Sequence, residues 1–253
     1  MIIDSHAHVG SSWMGQFRNT ITPERMLEIY AEFGVCKACI SSWAVTYDME
    51  QANAEVAEIC KEHKEYIPYV VLSPLDGENA ISMLRRYVED HGFKGVKMHP
   101  SGNRYPADAL SLMEPFMNLI TEYDIPVMFH GDNDPYGSAG QLKTLAEAFP
   151  ETNVIAAHIC AGGWISAIEA CRTTANLYLD TAYTLQENYV LARAIERCGT
   201  DKIIFGSDSP CTNIKAHIDR ITTLNAYFPG LLSEEDIEKI MSGNIERLLH
   251  ITE

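Results

Sequence analysis

Eight short apolar runs, spaced along the whole chain, constrain its fold more than any other feature of the sequence. They are MIID, VCKACIS, YIPYVVLS, FKGVKM, IPVMFH, NVIAAH, LYLDT and KIIFGS. Between them lie stretches with helical periodicity, such as ERMLEIYAEF and AISMLRRYVEDH. Because parallel strands need helical crossovers, this alternation predicts an α/β fold, either a (β/α)8 TIM barrel or an open doubly wound sheet.

Length and composition are consistent with one domain over residues 1–253. The hydrophobic fraction of 46% provides enough apolar material for a large core, and no Pro/Gly/Ser-rich linker interrupts the alternation. Thr22 followed by Pro23 predicts a helix start, and the SEED segment from Ser233 resembles a capping box at a second one.

The charge balance excludes several classes of partner. A formal net charge of −16 and a pI near 4.9, with no cluster of five or more basic residues, argue against nucleic acids and anionic membranes. No apolar run approaches the roughly 18 to 20 residues of a bilayer span, and no signal peptide is recognisable. We therefore expect a cytoplasmic protein with a small-molecule substrate. Helices outside a barrel can mediate dimerisation, so a homo-oligomer is compatible with the sequence.

The seven cysteines do not indicate a disulfide framework, because their number is odd and no secretion signal accompanies them. Cys36 and Cys39 have CxxC spacing, which is compatible with a redox or zinc site. They lie alone in an apolar strand-like run, which favours two buried small side chains.

Five of the nine histidines fall at the carboxyl ends of predicted strands. In a barrel these ends meet at one rim, so the five imidazoles are expected to share one cavity, and this favours the barrel over the open sheet. The strand-end residues are His6, His8, His99, His130 and His158. The others, His63, His91, His217 and His250, lie in predicted helices or at their ends, where a solvated side chain is expected.

Strand alternation predicts which strand-end residues face the cavity. A period of two places Asp4, His6 and His8 on one face of the first strand. On the last strand, Gly206 and Asp208 share a face, with Gly206 leaving room beside the carboxylate. Neutral imidazoles and a carboxylate together suit zinc and its neighbours in the first transition series, so one divalent ion is predicted, with zinc the first choice.

Six ordered segments carry a resemblance to a known family. DSHAHVG, GFKGVKMHP, PVMFHGD, VIAAHICAGG, IIFGSDSP and IMSGNIERLL, in that order, resemble the amidohydrolase superfamily. The closest likeness is to its amidohydrolase-2 branch of metal-dependent hydrolases and decarboxylases, which includes the relatives of aminocarboxymuconate semialdehyde decarboxylase. The likeness extends from the first predicted strand to the last helix.

The resemblance implies a role for each matching residue. It implies metal ligation by His6, His8, His130 and Asp208. Asp208 would also take part in proton transfer, and His158 would lie beside the metal and orient substrate or water. His99 would face the substrate. In other branches of the superfamily, a carbamylated lysine at the end of strand four bridges two metals. Lys97 lies at the end of the fourth predicted strand, on the same face as His99, so two metals are chemically possible. The segment GVKMHP resembles the mononuclear branch, in which this lysine is not a bridging ligand.

Loops after the strands are expected to determine substrate choice. Arg18 and Arg104 are candidates for binding a substrate carboxylate through two hydrogen bonds, and Trp164 is a third candidate contact.

Three functions are compatible with these residues. The leading prediction is hydrolysis of a small ester, lactone or amide by a metal-activated water, with Asp208 as base. The alternative is nonoxidative decarboxylation of an aromatic or unsaturated acid. A barrel that binds metal without turnover is disfavoured, because all the expected polar groups are present at the rim.

Overall fold

A sheet of eight parallel strands follows the order of the chain. The computed structural model describes residues 1–10, 13–14, 17–18, 21–43, 48–182 and 188–251, with the backbone alone at 13–14 and 17–18. Each strand of the sheet pairs with the next one in sequence. The strands are β1 Ile2–His8, β2 Val35–Ser41, β3 Tyr66–Val71, β4 Gly95–Met98, β5 Val127–Phe129, β6 Val154–Ala156, β7 Leu177–Asp180 and β8 Ile203–Ile204.

The first and last strands meet through the residues that follow β8. Ser5 N donates to Phe205 O at 3.0 Å, and Asp208 N donates to His6 O at 2.8 Å. Ala7 and Ser209 form a parallel bridge. Strand order and closure confirm the predicted TIM barrel, and the alternative of an open doubly wound sheet is wrong.

Helices connect successive strands, and two of them begin where the sequence predicts a helix start. Thr22 Oγ1 accepts Arg25 N–H at 3.2 Å, and Ser233 Oγ accepts Asp236 N–H at 3.1 Å, so both predicted caps are formed. The α-helices are α1 Pro23–Glu32, α2 Met49–Glu62, α3 Glu78–Glu89, α4 Pro100–Asn103, α5 Leu110–Glu122, α6 Ala139–Ala148, α7 Trp164–Thr173, α8 Asn188–Cys198, α9 Ile214–Thr222, α10 Leu224–Tyr227, α11 Glu234–Glu238 and α12 Asn244–Leu248. Within the described ranges, no helix is long and apolar enough to cross a membrane.

Alternate strand residues belong to two apolar clusters. Val96, Val127 and Val154 pack with helix residues in the larger cluster, outside the strands. Met128 and Ile155, one position further along β5 and β6, belong to a smaller cluster drawn mainly from strands, inside the barrel. The barrel interior is therefore filled mainly by apolar side chains.

The CxxC pair is divided between two environments. Cys39 is buried in the interior cluster, as predicted, whereas Cys36 is exposed and its thiol donates to Ile2 O. The prediction of two buried cysteines is therefore wrong for Cys36. Three residues apart on a strand, the two side chains point to opposite faces.

Candidate functional site

The five strand-end histidines form one continuous row at the rim of the barrel. Their ring centroids are separated by 5.2 Å for His8 and His6, 5.0 Å for His6 and His158, and 4.8 Å for His158 and His130. His99 stacks on His130 at 3.8 Å. The structure thus brings together side chains separated by up to 152 positions in the sequence.

Asp4 does not join the row, although simple alternation places it on the face of His6 and His8. The pairing of β1 with β2 shifts register between Asp4 and Ala7, so an extra residue turns Asp4 outwards. There its carboxylate accepts Tyr30 OH at 2.7 Å and Ser207 N–H at 2.9 Å. Burial raises the pKa of Asp4 to about 6 against these hydrogen bonds. Its predicted orientation is therefore wrong.

Gly206 allows the last strand to approach the first. A Cβ at this position would lie 3.0 Å from His6 Cβ and 3.1 Å from Ser5 Oγ. The room that the sequence predicts beside Asp208 is therefore used by the residues of β1.

Asp180, the last residue of β7, is a site residue that the sequence analysis missed. Its Oδ2 accepts His6 Nδ1–H at 2.7 Å, and its Oδ1 accepts the backbone N–H groups of His158 and Ala182 at 2.7 and 2.9 Å. A carboxylate can only accept, so it fixes the proton of neutral His6 on Nδ1 and leaves the Nε2 lone pair for the site. The signal was present, because LYLD places an acid at a strand end like the others.

Asp208 links the ends of β1 and β8. Its Oδ1 lies 3.0 Å from His8 Nε2 and 3.5 Å from His6 Nε2. Burial acts to raise the pKa of Asp208, but the hydrogen bond from His8 and the nearby histidines keep it well below its usual range. Burial lowers the pKa of His6, with a further contribution from Lys97, so the pair is a carboxylate beside a neutral imidazole.

The ligand-type atoms that come closest differ in part from the predicted set. His6, His158 and Asp208 each offer an atom within 4.8 Å of the other two. His8 contacts Asp208, and His130 Nδ1 lies 3.2 Å from His158 Nε2. The predicted ligands His8 and His130 are therefore next to the compact group, while His158 is part of it.

Two residues after β6, a left-handed turn aims the His158 ring. The φ angles of His158, Ile159, Cys160 and Ala161 are 63°, 48°, 53° and 42°. Non-glycine residues in this region cost roughly 1 to 3 kcal/mol each, so the surrounding packing must hold them. The bond from His158 N–H to Asp180 is one such restraint.

Lys97 brings a positive charge into the group. Its Nζ donates to His6 Nε2 at 2.8 Å, and it shares the cavity face of β4 with His99, as predicted. Burial lowers the pKa of Lys97 to about 8, opposed by the charges of Asp180 and Asp208. At neutral pH the lysine is therefore largely an ammonium.

Comparison with known proteins identifies the family. Residues 3–251 match the model of the amidohydrolase family, Amidohydro_2. The chain belongs to this family. Amidohydrolases of this group are metal-dependent enzymes, which agrees with the resemblance seen in the six sequence segments. No curated protein matches the chain.

Solved structures share the amidohydrolase barrel. 2,6-Dihydroxybenzoate decarboxylase from Rhizobium superposes with a TM-score of 0.75 at 18% identity over 98% of each chain. 4-Oxalomesaconate hydratase from Rhodopseudomonas palustris gives 0.76 at 17%, covering 99% of this chain and 96% of that one. Dihydroxybenzoic acid decarboxylase from Polaromonas sp. JS666, with bound manganese and the inhibitor 2-nitroresorcinol, gives 0.73 at 20%, covering 98% and 96%. At these identities the likeness shows the fold.

The structure describes the side chains of two of the three predicted substrate contacts from loops, Arg104 and Trp164. The side chain of Arg18 lies outside the described residues. Arg104 is exposed at the end of α4, with a φ of 62°. Trp164 packs edge-on against Tyr189 in a groove whose lining includes none of the row histidines. As substrate contacts, all three stay predictions.

Proposed function

We propose that this amidohydrolase is a metal-dependent hydrolase of a small ester, lactone or amide. The observation that carries the proposal is the meeting of the Asp208 carboxylate with the imidazoles of His6 and His158. Three separate strand ends supply these groups, which is how barrel enzymes assemble their chemistry. Membership of a metal-dependent enzyme family supports the same function.

The donor set fits a divalent cation of the first transition series. Imidazole nitrogen suits zinc and its neighbours, and carboxylate oxygen also suits manganese. A neutral His6 whose other ring nitrogen is held by Asp180 meets the requirements of a ligand histidine. His6, His158 and Asp208 would hold the ion. It would supply Lewis-acid activation of a substrate oxygen or of water.

Lys97 sets a condition on this binding. His6 Nε2 has one lone pair, and the Lys97 ammonium occupies it at 2.8 Å. A cation can therefore bind this nitrogen only when the Lys97 side chain turns away from it. The carboxylates of Asp180 and Asp208 attract the ammonium, so Lys97 would turn towards them. In that position the ammonium neutralises part of the carboxylate charge beside the substrate.

The positions of the protons assign different roles to Asp208, His158 and His99. Asp208, ionised, accepts the proton of the attacking water. His158 Nδ1 faces Ala182 O at 3.1 Å, so its proton is on Nδ1 and Nε2 is an acceptor that can orient water or substrate. His99 Nδ1 accepts Gly102 N–H at 3.0 Å, so its proton is on Nε2 and can be donated to a substrate oxygen.

Metal content is the first test of the proposal. Protein purified without chelator is expected to contain about one equivalent of a transition metal, because the compact group has donors for one ion. His6→Ala removes one of these donors, and Asp208→Asn removes the negative charge of another; each should lower metal affinity at least roughly tenfold. His250→Ala, which changes an exposed histidine, is the matched control and should bind metal like the parent.

Turnover is the second test, made on the metal-replete protein with a panel of esters, lactones and amides. Chelation should abolish hydrolysis, and added metal should restore it. Metal binding without hydrolysis of any member of the panel would reject the hydrolase proposal while leaving the metal site intact. A metal-free parent protein would reject both.

Decarboxylation is the second candidate, and Lys97 is the observation that favours it. A buried ammonium two residues before His99 offers a partner for a substrate carboxylate. Two of the three solved structures described above are decarboxylases of dihydroxybenzoic acids. Release of carbon dioxide from 2,6-dihydroxybenzoate, without hydrolysis of the ester panel, would select this candidate.

A further inference from the structure

Two cysteine thiols meet where α7 and α8 pack together on the outside of the barrel. Cys171 lies in the last turn of α7 and is buried, whereas Cys198 is the last residue of α8 and is half-buried. A side-chain hydrogen bond joins the two thiols. Among the described residues no other two cysteines share such a bond, so this pair differs from the other cysteines of the chain.

The thiol pair lies near the amino end of β7, opposite the histidine row. Cys171 Sγ is 3.3 Å from the carbonyl oxygen of Leu177, the first residue of β7. Cys198 Sγ is 3.3 Å from the carbonyl oxygen of Ile168, which precedes Cys171 by about one turn of α7. The row histidines lie at the carboxyl ends of the strands, so the thiol pair is separate from the candidate metal site.

The surroundings of the two thiols make them chemically unequal. The hydrogen bond from its partner thiol, with the positive charge of Lys202, lowers the pKa of Cys198, although burial and Glu169 oppose this. The same hydrogen bond and burial raise the pKa of Cys171. Cys198 is therefore the thiol that ionises first, and the S–H group of Cys171 donates to its thiolate. Because the thiolate is the reactive form, Cys198 is also the thiol that an oxidant reaches first.

We propose that Cys171 and Cys198 are a redox-active pair that a small peroxide converts reversibly into a disulfide. The Cys198 thiolate attacks one peroxide oxygen, the O–O bond breaks, and Cys198 becomes a sulfenic acid as hydroxide leaves. The Cys171 sulfur then attacks the sulfur of that acid, the S–O bond breaks, and the Cys171 proton leaves with the hydroxyl group as water. In sum, two thiols are oxidised by one hydrogen peroxide, which is reduced to two waters.

The position of Cys198 allows the sulfur atoms to approach bonding distance. A disulfide requires an S–S length of about 2.05 Å, so two sulfurs in hydrogen-bond contact must move closer together. Cys198 ends α8, so no further helical turn holds its backbone on that side. Its half-buried side chain admits a small oxidant, whereas the buried Cys171 reacts only through Cys198. The proposal does not depend on the reaction that the rim catalyses.

Peptide mapping of the oxidised protein tests the proposal. After treatment with about 1 mM hydrogen peroxide, unfolding and alkylation, the parent should give a peptide that links Cys171 to Cys198. Reduced protein has seven thiols to label, and dithiothreitol should restore the two labels that the disulfide removes. The linked peptide is measured in the parent, so the result does not depend on the folding of a variant. Its absence from the peroxide-treated parent would overturn the proposal.

Two variants separate the attacking thiol from the resolving one. Cys198→Ser should leave Cys171 reduced in peroxide, because burial protects it. Cys171→Ser should stop at the sulfenic acid of Cys198, which dimedone traps, because the resolving thiol is gone. Loss of the Cys171 label in a folded Cys198→Ser variant would contradict the assigned order of attack.

Cys60 provides the matched control. It is also half-buried, and burial raises the pKa of its thiol to about 12. Cys60→Ser should form the linked peptide like the parent, and in the parent Cys198 should react with peroxide at least roughly tenfold faster than Cys60. Equal rates at the two positions would show that the thiol pair has no special reactivity.

Discussion

At the scale of single residues, Asp180 determines what His6 can do. Its carboxylate holds the His6 proton on Nδ1 and leaves Nε2 as an acceptor. In Asp180→Asn, the amide oxygen can keep the two backbone bonds to His158 and Ala182, while the amide nitrogen faces His6. A donor there moves the imidazole proton to Nε2, so the atom offered to a cation no longer has a lone pair.

We expect Asp180→Asn to lower metal affinity by about 10- to 100-fold while the protein stays folded. A competition titration with a metal-binding dye measures the affinity, and thermal unfolding checks the fold. Asp201→Asn, at an exposed acid beside Lys239, should leave affinity unchanged. Equal metal affinity in parent and Asp180→Asn would show that the His6 tautomer is not controlled in this way.

Site residues of a rare type were predicted from the sequence, whereas a site residue of a common type was missed. Histidines at strand ends attract notice, and their convergence follows from barrel geometry. Asp180 is one of 35 acidic residues in the chain, so only its position at a strand end distinguishes it from the others. His217 shows the opposite error, because it was expected in solvent but is only 6% exposed. An amphipathic helix pattern does not reveal which polar residue lies on the inner side.

At the scale of elements, the left-handed turn from His158 to Ala161 depends on a glycine in the neighbouring loop. A Cβ at Gly131 would lie 2.7 Å from Ala157 O and 2.8 Å from Cys160 Sγ. Both atoms belong to the segment that carries His158, and one of them is backbone. The loop after β5 and the turn after β6 therefore fit together only when position 131 has no side chain.

Gly131→Ala is therefore expected to destabilise the fold by roughly 1 to 3 kcal/mol and to reduce metal affinity by displacing His158. Urea unfolding measures the first effect and metal titration the second. Gly140→Ala is the matched control, because nothing lies within 4 Å of the added Cβ and the residue is in α6. It should be neutral or stabilising by up to about 1 kcal/mol. Equal stability of the two variants would contradict the tight fit.

Strand alternation predicted some strand ends well and others badly. It holds for β4 and for the residues that follow β8, where Lys97, His99 and Asp208 face the cavity. It fails at Asp4, because one inserted residue turns the side chains before it to the opposite face of the strand, and the composition of the strand does not show this. The left-handed turn after β6 could not be predicted either, because residues 158 to 161 include no glycine.

At the scale of the whole molecule, buried neutral histidines make the fold sensitive to acid. Burial, with the charge of Arg220, lowers the pKa of His217 to about 4, against an ordinary value of 6.5. Between these values the unfolded chain binds a proton there that the folded chain does not, so this contribution to stability is lost as pH falls from 6.5 towards 4. Burial likewise lowers the pKa of His99 to about 3, whereas Asp4, with its raised pKa, acts in the opposite direction.

His217→Gln should reduce the pH dependence of stability by up to about 1.4 kcal/mol per pH unit in this interval. Urea unfolding of parent and variant from about pH 4 to about pH 7 measures the difference between their slopes, whatever the variant does to stability at neutral pH. His250→Gln, at an exposed histidine, should retain the parent slope. Parallel curves for His217→Gln and the parent would contradict the expectation.

The global architecture was more predictable than the chemistry it supports. Eight apolar runs with helical spacers left two topologies open, and the grouping of histidines at strand ends selected the closed one. Substrate choice was not predictable, because it depends on loop side chains whose positions follow from packing rather than from local pattern. The exposed position of Arg104 and the groove position of Trp164 are examples.

Closure of the barrel through β1 and the residues after β8 has a consequence for how the chain is made. His6 is synthesised before Asp208 and before the partners of Ser5 and His8, all of which follow about 200 residues later in the chain. Until then the first strand has an open edge and its histidines lack the carboxylate they face. A nascent or truncated chain therefore cannot assemble the cation-binding group, and metal uptake would report that translation has reached the last strand.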